Sequence, residues 1–224
     1  MGCTAMIRMG WSGMGRTLLL AAIAMPVAGA ELKVLVDDGK LPLADAVVSL
    51  EPISASATVI PGKGIMDQRN SQFVPGVLLI TAGSMVTFPN SDNIRHQVYS
   101  FSPAKSFNLS LYAGTPAAPV RFDRPGVVAI GCNIHDWMIG YIVVLDTPYF
   151  AKTNAQGVAS VKAPVGKYSM TVWHSRLAAD AYKVDAVLLD GANDGKSVHL
   201  KLALPAPARR GDRRLKPKPG TGYR

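Results

Sequence analysis

Residues 132–138 constrain the fold more than any other part of the chain. They read Cys-Asn-Ile-His-Asp-Trp-Met and place a thiol, an imidazole and a thioether at Cys-x2-His-x2-Met spacing. Short β-branched runs precede and follow them, at 127–131 and 141–145. A loop between two strands is held at both ends by sheet hydrogen bonds and is therefore stiff. The spacing predicts a rigid three-ligand loop at one end of a β-sheet.

The rest of the chain alternates short apolar and β-branched runs with Gly, Pro, Asn and Asp. This pattern is typical of an all-β sandwich or barrel. A helical period is suggested only around residues 177–189. The predicted strands are 32–36, 46–50, 77–80, 85–88, 96–100, 127–131, 141–145, 158–161, 168–173 and 198–202.

The N-terminus has the features of a secretory signal peptide. Arg8 and Arg16 precede the apolar run 18–25, and Ala28-Gly29-Ala30 supplies the small residues of a cleavage site. The apolar run is too short to span a bilayer as a stable anchor. We therefore expect residues 1–30 to be a signal peptide cleaved after Ala30, and the mature protein to be periplasmic.

Export changes the meaning of the cysteines. The chain has two, and Cys3 would be removed with the signal peptide, which leaves Cys132 without a partner in the mature chain. An unpaired cysteine in an exported protein is an inert buried thiol, an intermolecular bridge or a metal ligand. His135 and Met138 at ligand spacing favour the ligand. Thiolate, imidazole and a weak axial thioether form the ligand set of a blue-copper site. A second histidine is then required, and His96 is the candidate.

The positive charge of the chain, formally +9, is concentrated at its C-terminal end. Residues 205–224 hold seven Lys and Arg against one Asp, together with four prolines and few apolar residues. We expect a disordered basic tail. Export argues against a nucleic-acid partner, and a weak contact with the anionic cell envelope is the remaining use for such a tail.

The stretch from about 66 to 145 resembles a cupredoxin, and its ligand loop resembles that of amicyanin. The resemblance rests on the order His96 then Cys-x2-His-x2-Met, on Gly83-Ser84-Met85-Val86-Thr87-Phe88-Pro89-Asn90 and on Phe122-Asp123-Arg124-Pro125-Gly126-Val127. The 131–138 and 146–151 segments also resemble exported bacterial proteins labelled methylamine utilisation proteins. The resemblance implies a Greek-key β-sandwich with copper held by His96, Cys132, His135 and Met138.

Two departures from the cupredoxin pattern concern the surroundings of the ligands. Many cupredoxins have an asparagine after the first histidine, where this chain has Gln97; Asn90 or Asn133 could tie the two ligand loops together instead. Ile134 and Asp136 stand where amicyanin has prolines. The carboxylate makes the surface beside His135 more polar, so partner choice does not carry over.

The flanking segments resemble the two halves of a transthyretin-like domain of the kind found beside carboxypeptidases. Residues 38–50 resemble its opening, and 153–157 with 164–172 resemble its closing half. The alternative is that the first stretch is an extra cupredoxin strand. The predicted organisation is 1–30 signal peptide, 31–60 N-terminal β segment, 61–147 copper domain, 148–204 C-terminal β module and 205–224 basic tail.

Two functions remain open from the sequence. One is a one-electron copper carrier acting between periplasmic redox proteins, such as a cytochrome or a dehydrogenase. The other is a copper-binding or copper-delivery protein, for which exposed methionine-rich clusters are typical. No recognisable catalytic constellation is present, so an enzyme is not expected. His174 and His199 are expected to be structural or surface residues rather than ligands.

Overall fold

The computed structural model describes residues 29–54, 56–116, 118–177, 181–190 and 197–201. Within these residues the fold is all-β, which confirms the predicted class. None of them forms a helix with the length and hydropathy needed to cross a membrane. Residues 1–28 of the predicted signal peptide and the predicted basic tail 205–224 lie outside the described residues. Strand β1 begins at Gly29, two residues before the predicted start of the mature chain.

Seventeen strands are seen in the described part of the chain. In order they are β1 (Gly29–Asp37), β2 (Val47–Pro52), β3 (Lys63–Ile65), β4 (Asp67–Arg69), β5 (Gln72–Val74), β6 (Val77–Thr81), β7 (Ser84–Thr87), β8 (His96–Ser102), β9 (Lys105–Tyr112), β10 (Val120–Phe122), β11 (Gly126–Gly131), β12 (Ile139–Leu145), β13 (Phe150–Lys152), β14 (Val158–Pro164), β15 (Gly166–Trp173), β16 (Tyr182–Leu189) and β17 (Ser197–Lys201).

The central strands form a sandwich around one apolar core. A five-stranded sheet has the order β6-β12-β11-β8-β9, and a three-stranded sheet has the order β10-β7-β3. Strands β4 and β5 form a separate hairpin. Alternate residues of β7, β8 and β11 point inward, as the two-residue period of a strand requires. The core contains Met66, Phe73, Ile80, Val86, Phe88, Val98, Phe122, Val128, Ile130, Cys132, Met138, Ile142 and Val144.

The strands that precede the central region in the sequence pair with the strands that follow it. One sheet has the order β14-β1-β17 and a second has the order β13-β2-β15-β16. Strand β1 is antiparallel to β14, with Leu32 opposite Val161, and β2 lies between β13 and β15. These sheets enclose their own core, which includes Val34, Leu50 and Met170. The likeness of this unit to a transthyretin-like module stays a prediction.

The central sandwich contacts the flanking sheets through the outer face of β12. Ile142 and Val144 of that strand point into the central core, whereas Val143 and Leu145 pack with Val77 and with Val47 and Trp173 of the flanking strands. Both faces of β12 are thus covered, which explains why its sequence is a continuous apolar run rather than an alternating one.

The helical period suggested around 177–189 was wrong. Residues 182–189 form strand β16, which pairs with β15 across a register shift between Tyr168 and Met170. Val184, Val187 and Leu189 face the flanking core. A β-bulge adds one residue between the inward-facing Val184 and Val187, so these two residues are three positions apart instead of two. A spacing of three between apolar residues is also typical of a helix, which is why the sequence suggested a helical period.

The turn before β14 yields the first prediction. Gly157 has φ of +73°, and a Cβ there would lie 2.4 Å from the carbonyl oxygen of Val36. Gly114 has φ of +72°, but a Cβ there would meet nothing within 4 Å. Both alanine substitutions carry the left-handed backbone cost of about 1–2 kcal/mol. Gly157→Ala must in addition displace β1, so its loss of unfolding free energy should exceed about 3 kcal/mol.

Urea unfolding followed by circular dichroism measures both variants. Equal losses for Gly157→Ala and Gly114→Ala would contradict the close approach of the Asn154–Gly157 turn to strand β1.

Candidate metal centre

Three of the four candidate ligands converge at one end of the central sandwich. His96 is the first residue of β8, Cys132 follows the last residue of β11, and His135 lies in the loop that leads to β12. One potential ligand atom from each residue lies within 4.8 Å of the others. Cys132 Sγ is 3.8 Å from Nδ1 of His96 and 3.9 Å from Nδ1 of His135.

These distances fit a metal held between the sulfur and the two nitrogens. With a metal about 2.3 Å from sulfur and about 2.0 Å from nitrogen, an angle of about 120° separates the ligand atoms by about 3.7 Å, and a tetrahedral angle by about 3.5 Å. The observed separations match the wider angle. A trigonal arrangement of two imidazoles and one thiolate is the donor set of blue-copper sites. The residues present therefore fit copper.

The loop that carries two of these residues is fixed by backbone hydrogen bonds. Gly131 pairs with Ile139 at the ends of β11 and β12. Beyond that pair, the N–H of Cys132 donates to the carbonyl of Met138 (3.3 Å), and the N–H of Met138 donates to the carbonyl of His135 (2.9 Å). The loop is therefore closed by backbone hydrogen bonds immediately beyond the sheet.

Met138 closes the loop with its side chain buried. Its exposed fraction is 1%, and it belongs to the same apolar core as Cys132. This position is compatible with an axial thioether beside the His–Cys–His cluster. The role of Met138 as a ligand stays a prediction.

The two histidines differ in their access to solvent. His96 and Cys132 are buried, with exposed fractions of 0% and 3%, whereas His135 is half-buried. The ring of His135 lies between those of His96 and Trp137, with centroid distances of 5.0 and 5.2 Å. The cluster thus reaches the surface through the imidazole of His135.

Asp92 is a contact of the site that sequence reasoning missed. Its Oδ2 lies 2.8 Å from Nε2 of His96, on the opposite side of the ring from Cys132. Burial opposes ionisation of Asp92, but hydrogen bonds from the Ser71 N–H, His96 and the Asn70 N–H hold its pKa below the usual value. An aspartate four residues before a candidate ligand was the signal available in the sequence.

Asn90 organises its own loop rather than joining the two ligand loops. Its Nδ2 donates to the carbonyls of Ile94 (2.8 Å) and Tyr112 (3.0 Å), and its Oδ1 accepts the N–H of Asp92 (3.0 Å). Gln97 donates to Asn108 on β9, and Asn133 is exposed. The expectation that Asn90 reaches the cysteine loop was therefore wrong, because its hydrogen bonds run to β9 and to the 90–94 turn.

The surface beside His135 is apolar. Ile134 is 49% exposed and Trp137 is 45% exposed, and we call these two residues the apolar rim. Ile139, at the start of β12, is only half-exposed. Asp136 is exposed between His135 and Trp137, so one carboxylate lies beside the apolar rim.

The other two histidines lie outside the cluster. His174 is buried just after β15, where burial lowers its pKa and its Nδ1 accepts the N–H of Arg176. His199 is exposed on β17 and contacts Asp37. Both placements agree with the structural and surface roles expected from the sequence.

The difference in burial between the histidines gives a prediction. His135→Gly opens a position at the surface, so added imidazole should enter it and restore the visible spectrum of the copper(II) protein. His96→Gly opens a fully buried position behind Asp92, and recovery should be much weaker. Absorbance during an imidazole titration measures both, and equal recovery would contradict His135 as the exposed member of the pair.

Comparison with known proteins yields solved cupredoxin structures. A purple cupredoxin from Nitrosopumilus maritimus is 25% identical, with 36% of this chain and 96% of that chain covered and a TM-score of 0.32. A Sinorhizobium pseudoazurin is 22% identical, with coverages of 39% and 76% and a TM-score of 0.31. A reduced Cu(I) form of an amicyanin variant is 20% identical, with coverages of 44% and 98% and a TM-score of 0.34. No family model and no curated protein matches the sequence. Each of these matches covers less than half of this chain.

Proposed function

We propose that this protein is a periplasmic type 1 copper protein that carries single electrons between redox partners. Copper would be held by His96, Cys132, His135 and Met138, and when bound it supplies a Cu(I)/Cu(II) couple. One observation carries the proposal: two imidazole Nδ1 atoms lie 3.8 and 3.9 Å from one buried cysteine sulfur. The soft thiolate and the two imidazoles suit both oxidation states of copper.

The surroundings of the site suit fast electron transfer. His96 is fixed by β8 and Asp92, and Cys132 is fixed by the closure of its loop across β11 and β12. Ligands that cannot rearrange impose nearly one geometry on both oxidation states, which keeps the barrier to transfer small. The buried Met138 would act as the weak axial ligand that sets the reduction potential.

His135 offers the shortest route between the site and a partner. Its half-exposed ring is flanked by the apolar rim of Ile134 and Trp137. A flat apolar surface around a redox centre permits close but brief contact with another protein. The partner we propose is a periplasmic cytochrome or dehydrogenase, and Asp136 would contribute to its selection by charge.

The location follows from the N-terminal sequence. A signal peptide over residues 1–30 would deliver the chain to the periplasm, where a nucleic-acid partner is not expected. The flanking sheets, which we propose to be a transthyretin-like module interrupted by the copper domain, would serve as a structural scaffold. The basic tail 205–224 would make at most weak contact with the envelope. The protein would act as a carrier and not as an enzyme, because two imidazoles, a thiolate and a thioether of the chain would hold the copper.

Copper delivery is the alternative function, and one observation favours it. His135 is accessible at the surface, so copper could be handed over by exchange of this ligand. The burial of His96 and Cys132 opposes rapid release. The carrier is therefore the better-supported function, and copper lability separates the two.

The spectrum of the copper(II) protein tests the site. Sulfur-to-copper charge transfer should give the loaded protein a strong visible band, since the cysteine sulfur would be a ligand beside the two imidazole nitrogens, which lie 3.8 and 3.9 Å from it. Cys132→Ser should abolish the band, because a hydroxyl cannot supply that transition. Absorption spectroscopy of the two proteins at equal copper content measures the effect, and a colourless, fully loaded wild type would contradict a type 1 site.

Electron exchange tests the docking surface. Ile134→Lys places a charge on the apolar rim and should slow exchange with the native partner at least about tenfold, while the visible band stays unchanged. Ile60→Lys is the matched control, since Ile60 is exposed and its carbonyl contacts Thr81 at the opposite end of the sheet. Stopped-flow kinetics measure both. Equal rates for the two variants, together with rapid loss of copper to a chelator, would favour delivery.

A further inference from the structure

The ring of His96 is held from both sides. Its Nδ1 faces the sulfur of Cys132 at 3.8 Å, and its Nε2 lies 2.8 Å from Oδ2 of Asp92. The ring itself is completely buried, and Asp92 is largely so. A carboxylate beside Nε2 requires the proton there, which leaves Nδ1 free to bind a metal.

Asp92 is in turn held by a neighbouring hairpin. The N–H groups of Asn70 and Ser71 donate to its two carboxylate oxygens at 2.6 and 2.9 Å. Both donors have positive φ, +54° and +53°, in the tight turn between β4 and β5. Consecutive left-handed residues in a two-residue turn point their amides to one side. The strained turn therefore presents two donors to one carboxylate.

The hairpin is anchored to the loop that contains Asp92. Ser91 Oγ donates to Asp67 (2.9 Å), and the N–H of Ser91 donates to the carbonyl of Gln68 (2.9 Å). Arg69 forms an ion pair with Asp67 at 2.7 Å. Asp92 thus belongs to a continuous chain of hydrogen bonds from the β4–β5 hairpin to His96, and its position is set by backbone geometry.

We propose that Asp92 is a positioning residue for the metal centre, and that the β4–β5 turn exists to hold it. Asp92 fixes the tautomer and the plane of His96. Its negative charge, transmitted through the imidazole, makes Nδ1 a stronger donor and stabilises copper(II) more than copper(I). This inference rests on the proposed copper site. Beyond that site, Asp92 lowers the reduction potential by acting on the buried side of the metal centre, independently of the axial ligand.

The experiment compares two charge-removing variants of the full-length mature protein. Asp92→Asn keeps an oxygen that accepts from Nε2 of His96 but removes the charge. Asp67→Asn removes an equal charge from the same hairpin network without contacting His96. Asp92→Asn should raise the reduction potential and weaken copper(II) binding about tenfold or more, with the visible band retained. Asp67→Asn should change both far less, since Arg69 already offsets its charge.

A second readout needs no copper. In the reduced apo protein, long-range proton–nitrogen NMR should show His96 with its proton on Nε2. Asp92→Ala should give a mixture of tautomers, and Asp67→Asn should retain the single tautomer. A proton on Nδ1 in the wild type, or equal potentials for wild type and Asp92→Asn, would overturn the role of Asp92.

The two readouts separate the two proposals. A colourless copper-loaded wild type whose apo form still shows the Asp92-dependent tautomer would remove the proposed function and leave the positioning role in place. A strongly coloured wild type whose His96 tautomer does not depend on Asp92 would support the copper site and overturn the positioning role of Asp92.

Discussion

The antiparallel pairing of β11 with β12 is the interaction on which the metal centre depends. Their ladder runs from Gly126 opposite Val144 to Gly131 opposite Ile139, and residues 132–138 follow without a break. Since Cys132 and Met138 are joined by a backbone hydrogen bond directly beyond the last pair, the positions of the cysteine and the loop histidine are fixed by the sheet. The apolar core beneath them then buries Cys132 and leaves His135 at the edge.

The same strand β12 links the metal centre to the flanking sheets. Its inward residues fill the central core, and its outward residues pack against Val47 and Trp173. The flanking strands, which precede and follow the central region in sequence, therefore cover the outer face of the strand that begins directly after the ligand loop. This gives the flanking unit a physical role without any chemistry of its own.

Local sequence was enough to predict the ligand loop and most of the long strands. Cys-x2-His-x2-Met is a pattern within seven residues. Apolar and β-branched runs such as 127–131 and 141–145 are recognisable as strands from their residues alone. Strand β9 was missed because its solvent-facing side chains dilute the apolar pattern, and β16 because a bulge changed its spacing. The support of His96 was missed for a different reason: the donors to Asp92 come from a turn about twenty residues upstream, and such pairing is not visible in local periodicity.

In the proposed copper carrier, the two histidines would meet different demands of electron transfer. His96 has no solvent contact, and Asp92 with the Asn70–Ser71 turn fixes its ring through hydrogen bonds. His135 is half-buried in its own loop and contacts the tilted ring of Trp137, so its edge stays accessible. On the buried side, Asp92 would fix the geometry of His96 and supply a negative charge that favours copper(II). On the exposed side, His135 would contact the partner. A substitution on the rim can therefore change the rate of exchange without changing the potential, and a substitution at Asp92 can change the potential while leaving the docking surface intact.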